Sequence, residues 1–342
     1  MKRKYLTKGF LLLGLIGLIV YSGACSAAAA NALRVCALSV IPSLFPFFVL
    51  SKLLLSGGFS VPFPERFAQN CFGVSGACVS AFCVSILGGY PAGAAAVADL
   101  YKNGAVTKRD AEKALCFCNN SGPAFFLSFI GGTILKRAER GLMLYLIHIL
   151  SALLCGRLFA GGRTPAFRMR QIGSERKHAG KQLPEAISES CAALLQISGL
   201  IVFFSVMVAI VEEVGLFRLL SRIPCLPVAE IKALFCGVIE VSGGILRSAD
   251  SAHTFVLCAF LMGWGGFCVH MQARAIWQAA GLHPKYYCAA KLLHAQLSAI
   301  FALAFTAPSA LSVSLGVIVF LLCAVFPSFS KNKGSNFAKN TL

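Results

Sequence analysis

Apolar stretches of nearly bilayer-crossing length recur along the whole chain, and several are cut by short clusters of glycine, proline and polar residues. A helix needs roughly 20 apolar residues to cross a hydrocarbon core. Within that core the backbone N–H and C=O groups must be satisfied inside the chain, so irregular backbone survives only where protein or water surrounds it. The stretches therefore restrict the fold to packed membrane helices, and the clusters mark where those helices break.

The composition agrees. Hydrophobic residues make up 57% of the chain and charged residues 13%, against about 45–50% and about 25% in a soluble domain. A net charge of +18 would suggest nucleic acid as a partner of a soluble chain. Here the basic residues flank apolar spans instead, with Lys2, Arg3, Lys4 and Lys8 before the first and Lys331, Lys333 and Lys339 after the last. Such flanks resist translocation and mark the cytoplasmic side, so no nucleic-acid partner is expected. The 15 cysteines lie mostly in apolar stretches, as Cys78, Cys155 and Cys258 do, where they pack as small hydrophobes. Cys116 and Cys118 have no second pair at zinc spacing. No metal and no cofactor are expected.

Residues 1–34 read as an N-terminal transmembrane helix, left uncleaved, with its apolar part at 10–30. A second span covers 35–55, where Pro42 and Pro46 predict a kink or break. The loop around Pro62, Pro64, Glu65 and Arg66 leads to residues 71–101. That piece is split by Gly88-Gly89-Tyr90-Pro91-Ala92-Gly93 and reads as a re-entrant helical hairpin. Thr107 is placed to cap the charged stretch after it. Residues 116–135 are a span interrupted at Asn119-Asn120-Ser121-Gly122-Pro123, and 141–159 a cleaner one. The basic segment 161–185 divides a first repeat, 35–160, from a second, 186–306, and its charge places it in the cytoplasm. The second repeat follows the same plan. A span at 191–211 precedes a broken piece at 231–246 with Glu240-Val241-Ser242-Gly243-Gly244 at its tip. A span at 253–271 is interrupted by Gly263-Trp264-Gly265-Gly266, and another covers 286–305. Residues 307–342 form a last helix and a basic tail.

Each repeat contributes an odd number of crossings, so the two are inverted, with both termini cytoplasmic. The group Lys136-Arg137-Ala138-Glu139-Arg140 then falls outside, against the positive-inside trend. The expected fold is an all-α polytopic membrane protein of about eight transmembrane helices plus two re-entrant helical hairpins in an inverted-topology repeat. The lipid bilayer is its first partner, a bacterial plasma membrane its location, and a homo-oligomer is compatible with it.

Broken helices meeting near the midplane are a transporter design, in which freed backbone groups and half-helix dipoles hold a polar solute. The candidate substrate-binding residues are Gly89, Tyr90, Pro91, Gly93, Asn119, Asn120, Ser121, Glu240, Ser242, Gly265, His270 and Gln272. Glu240 is the sharpest of them. A carboxylate in an apolar run must pair, bind a cation or stay protonated. Proton or cation coupling and a structural pairing with Arg247 or Arg274 are both open. No H-E-x-x-H, G-x-S-x-G or phosphate-cradling loop occurs, so no catalytic residue is expected.

The strings Pro42-Ser43-Leu44-Phe45-Pro46-Phe47-Phe48, Gly89-Tyr90-Pro91-Ala92-Gly93, Asn119-Asn120-Ser121-Gly122-Pro123 and Gly263-Trp264-Gly265-Gly266-Phe267-Cys268-Val269-His270-Met271-Gln272 resemble the YlbJ family of bacterial sporulation integral membrane proteins. The resemblance extends over residues 35–306. It implies nucleoside-recognition Gate domains, a relation to concentrative nucleoside transporters and a role in endospore formation. The function it supports is transport or permeation of a small polar solute, nucleoside-like at best. The rival is a non-transporting membrane scaffold for spore or envelope assembly.

Overall fold

The computed structural model describes residues 2–56, 63–159, 183–220, 227–307, 309, 313, 314 and 316–320. The basic linker lies largely outside them, and so do the C-terminal tail and Pro62. The described residues are helical, with no strand among them. In chain order the helices are α1 (Lys2–Val20), α2 (Ser22–Val35), α3 (Ile41–Ser56), α4 (Glu65–Phe72), α5 (Gly76–Gly88), α6 (Ala92–Lys102) and α7 (Lys108–Ala114). They continue with α8 (Ala138–Phe159), α9 (Leu183–Glu213), α10 (Leu216–Leu220), α11 (Val228–Ile239), α12 (Val241–Ser248), α13 (Thr254–Trp264), α14 (Gly266–Ala279) and α15 (Tyr287–Thr306). Two π-helical segments, Cys36–Val40 and Phe125–Ile134, join α2 to α3 and lead towards α8.

Among the described residues, five helical stretches are long and apolar enough to cross a membrane: Ser22–Val40, Ala138–Phe159, Leu183–Glu213, Thr254–Ala279 and Tyr287–Thr306. A sixth results if α4 and α5, bent by 78° at their junction, count as one span. The multi-pass membrane class therefore holds. The expected count of about eight also included an N-terminal stretch whose apolar helix is short, Leu11–Val20, and a C-terminal one mostly outside the described residues.

Three local expectations change. The first described stretch long and apolar enough to cross is Ser22–Val40, where the expectation placed the apolar part of the first helix at 10–30. Pro42 and Pro46 do not break the chain: Pro46 sits inside α3, and the distortion appears as the π turn just before Pro42. Proline lacks the N–H that an α-helix would direct to the carbonyl four residues back, and a wider turn accommodates that loss. Residues 71–101 divide into the end of amphipathic α4 and the helix pair α5–α6. The α4–α5 corner is fixed by Gly73, with φ +59, and by Glu65, whose carboxylate accepts the N–H of Gly76 at 2.7 Å. Thr107 caps α7 as expected, its hydroxyl accepting from the Asp110 N–H at 3.1 Å.

One order of elements occurs twice: a short helical pair, an interrupted span, then a long helix. It is α5–α6, the break at 119–122 with its π segment, and α8; then α11–α12, α13–α14 and α15. Glycine permits the close packing that lipid cannot enforce by hydrophobicity. A Cβ on Gly244 would collide with the backbone of Gly237, which is how α12 lies against α11. A Cβ on Gly141 would meet the Phe126 carbonyl, so α8 and the π segment pack backbone to backbone.

The interior has two main apolar clusters. One joins Val40 and Leu44 to Phe126, Phe129, Ile201, Ile245 and Leu261. The other joins Phe72, Val79 and Phe82 of the first half to Ala273, Trp277 and Tyr287 of the second. The interrupted span α13–α14 thus sends its first part into one cluster and its second part into the other.

Candidate functional site

The breaks pack on each other in pairs. A Cβ on Gly89, whose φ is +74, would lie 3.0 Å from the Gly122 nitrogen, so the tip of α5–α6 touches the break at 119–122. A Cβ on Gly266, with φ +80, would lie 3.0 Å from the Val241 nitrogen, so the α11–α12 tip touches the α13–α14 break. Only glycine is at ease at both a positive φ and so close an approach. The two pairs are then joined: the Tyr90 hydroxyl donates to the Met262 carbonyl at 3.0 Å.

Each first arm ends on a side chain from its own half. The Tyr145 hydroxyl donates to the Ile86 carbonyl at 2.6 Å, and the Trp264 indole N–H to the Val238 carbonyl at 3.0 Å. These carbonyls near helix C-termini have no intrahelical donor, so the caps hold both tips in place.

Between the paired breaks is a partly open cavity of about 50 Å³. Of the expected residues, Gly89, Tyr90, Ser121, Glu240, Ser242 and Gln272 line it, together with apolar Phe48, Phe125, Ile197 and Met262. Pro91 lines a neighbouring recess of about 240 Å³ that shares Phe48 and Tyr90 with the cavity. The sequence breaks therefore do converge, with polar groups from both halves on a largely apolar wall.

The remaining expected residues have other surroundings. Gly93 is a packing position, since a Cβ there would strike the Cys118 carbonyl. Asn119 faces α15, its amide donating to the Tyr287 hydroxyl at 2.8 Å. Asn120 is tied down locally, its amide donating to the Phe117 carbonyl at 2.6 Å while its backbone N–H reaches Ser85 Oγ at 3.0 Å. Gly265, with φ +88, is the break itself and lies beside the Tyr90 hydroxyl. His270 is buried between the rings of Trp264 and Tyr287, at centroid distances of 4.4 and 5.3 Å.

The hydrogen bonds that Glu240 accepts come from backbone groups. Its carboxylate accepts the N–H of Ser242 at 2.9 Å and of Gly243 at 2.6 Å, capping α12 at the cavity edge. Arg247 stands behind it, donating to the Gly243 carbonyl at 3.3 Å, whereas Arg274 is exposed on α14. A carboxylate at a helix N-terminus is held by charge-assisted bonds and by the helix dipole.

A second polar group was legible but overlooked. Lys291 and His294 of α15 and His148 of α8 are buried in apolar spans. The Lys291 amine reaches the Asn119 carbonyl at 3.1 Å and His294 Nδ1 at 3.2 Å; His294 Nε2 meets the His148 carbonyl at 3.0 Å. The available signal was a lysine inside an apolar span, which is a functional candidate by default.

Fold and site together define a polytopic helical membrane protein organised around broken helices. The chain is similar to the sporulation integral membrane protein YlbJ of Bacillus subtilis (strain 168), with 27% identity over 296 residues, covering 77% of this chain and 72% of that protein. That homology supports the resemblance carried by the four motifs and the membrane location. No family model matches the chain, and no solved structure does.

Proposed function

We propose that the chain is a transporter or permeation protein for a small polar solute. In this reading the two helical pairs are re-entrant hairpins of inverted halves, set in a bacterial plasma membrane with both termini cytoplasmic. The observation that carries it is the convergence of Gly89, Tyr90 and Ser121 with Ser242 and Gln272 on one cavity. A purely structural use of the four breaks does not require polar groups from both halves around a common space. Carrier action of this kind involves no enzymatic step.

The nucleoside-like substrate rests on the family resemblance. At about 50 Å³ the cavity admits water-sized groups. A nucleoside needs the tips to part, the movement that alternating access supplies.

The test is thermal unfolding of the purified protein in detergent against nucleosides, nucleobases, amino acids and small carboxylates. A ligand at about 100 times its Kd adds about 2.7 kcal/mol to stability. The expected result is stabilisation by one chemical class, lost in Ser121→Ala and Gln272→Ala. No response from a monodisperse, cooperatively melting sample overturns transport. It favours the second reading, a non-transporting membrane component of spore or envelope assembly, which the name of the Bacillus relative equally suits.

A further inference from the structure

Lys291 lies in the second turn of the membrane helix α15, where it is 1% exposed. No carboxylate among the described residues pairs with it. The titratable groups facing it are Tyr90, His148, Cys155, His270 and His294, with Tyr287 one turn before it on α15. None of these supplies a negative charge near neutral pH. An ammonium ion in such surroundings is costly unless it finds a counter-charge or gives up its proton.

The geometry suits both protonation states. A neutral amine has two N–H groups, and two acceptors are present: the Asn119 carbonyl oxygen and His294 Nδ1. Accepting at Nδ1 places the His294 proton on Nε2, which donates to the His148 carbonyl. The Ser121 N–H points to His148 Nε2 at 3.3 Å, which places that ring's proton on Nδ1. A charged amine gains a different contact, the face of Tyr90, whose centroid is 5.7 Å from the nitrogen. The histidine rings lie 4.4 Å apart between Lys291 and the cavity wall at Ser121.

We infer that Lys291, with His294 and His148, forms a proton-binding site that links protonation to the packing of Tyr90 and of the break at 119–122. Tyr90 and Ser121 both line the solute cavity. A proton arriving at Lys291 gives the amine a third N–H and a charge, which tightens its bonds to the Asn119 carbonyl and His294 Nδ1 and adds attraction to the Tyr90 ring. Proton movement is thereby coupled to the position of the first tip. The inference deepens the transport reading, but its test requires no solute, so the two can fail separately.

The chain has two tryptophans, and both report on this region. Trp264 lies 4.4 Å from His270 and Trp277 lies 4.5 Å from Tyr287. Intrinsic fluorescence of the full chain in detergent is titrated from about pH 5 to about pH 10, the range in which perturbed histidines and lysines ionise. The same titration is made on Lys291→Gln, His294→Gln, Lys113→Met and His270→Phe. The expected result is a one-proton transition that is absent in Lys291→Gln, moved along the pH axis in His294→Gln, and retained in the other two. A flat wild-type profile overturns the inference, as does a transition that keeps its midpoint in Lys291→Gln. If Lys291→Gln does not fold, His294→Gln decides, and an unmoved midpoint there rejects the site.

Discussion

The Tyr90 hydroxyl donates a hydrogen bond to the Met262 carbonyl oxygen at 3.0 Å, joining the hairpin tip of the first half to the end of α13 in the second. It is a point where the halves are pinned directly across the cavity, next to the Gly265 break. A rearrangement that opens the cavity between the tips has to stretch or release this bond.

Tyr90→Phe keeps the ring and removes the donor, leaving a carbonyl that has few substitutes in an apolar setting. The expected loss is about 1 kcal/mol, since truncating one partner strands the other. Thermal unfolding in detergent measures it. An unchanged melting temperature means that the bond does not hold the halves together.

Glu240 caps α12 with two short backbone bonds. Glu240→Ala should cost about 1–2 kcal/mol, the range for a lost N-cap. Glu240→Gln should cost less, because one amide oxygen can still accept. The order Ala worse than Gln worse than wild type, read from melting temperatures, is the check; equal losses would point to the charge and not to the cap.

Gly266 combines a positive φ with a tight approach to Val241, whereas Gly281 has φ +74 and open space around it. Gly281→Ala should therefore show only the conformational penalty, about 1 kcal/mol. Gly266→Ala should lose clearly more, because backbone atoms of the opposing tip cannot move aside. Similar losses at the two positions would mean that the tip-to-break contact is slack.

Lys113 lies outside the membrane-spanning segments, on α7, with its amine donating to the Gly73 carbonyl at 3.1 Å. Burial, followed by the nearby Arg109 charge, lowers its pKa from 10.5 to about 8. Because the folded value is the lower one, the unfolded chain binds the proton more readily. The contribution is full above about pH 10.5 and is lost as the pH falls through about 8. Lys113→Met should flatten that part of the stability–pH curve. The effect is reduced by solvent, as the side chain is only half-buried. Melting temperatures of both proteins across this window test the sign.

The sequence alone determined the class and where the helices break. Charge and hydropathy decide membrane insertion residue by residue, and glycine clusters mark where a helix can break, as at Gly89 and Gly265, although Gly243-Gly244 stays within α12. Gly89, Tyr90, Ser121, Glu240, Ser242 and Gln272 could be singled out for that reason. Tertiary structure decided which of them share a space. Asn119 and Asn120 lie in the same break as Ser121, yet they turn to Tyr287 and Phe117, because an extended segment sends successive side chains in different directions. The partners of Glu240 are more local than either arginine: the N–H groups of Ser242 and Gly243, where α12 begins. The pairing of Gly89 with Gly122, and of Gly266 with Val241, rests on helix packing across many residues. No local pattern encodes it, since it follows from which backbones can approach without a Cβ between them.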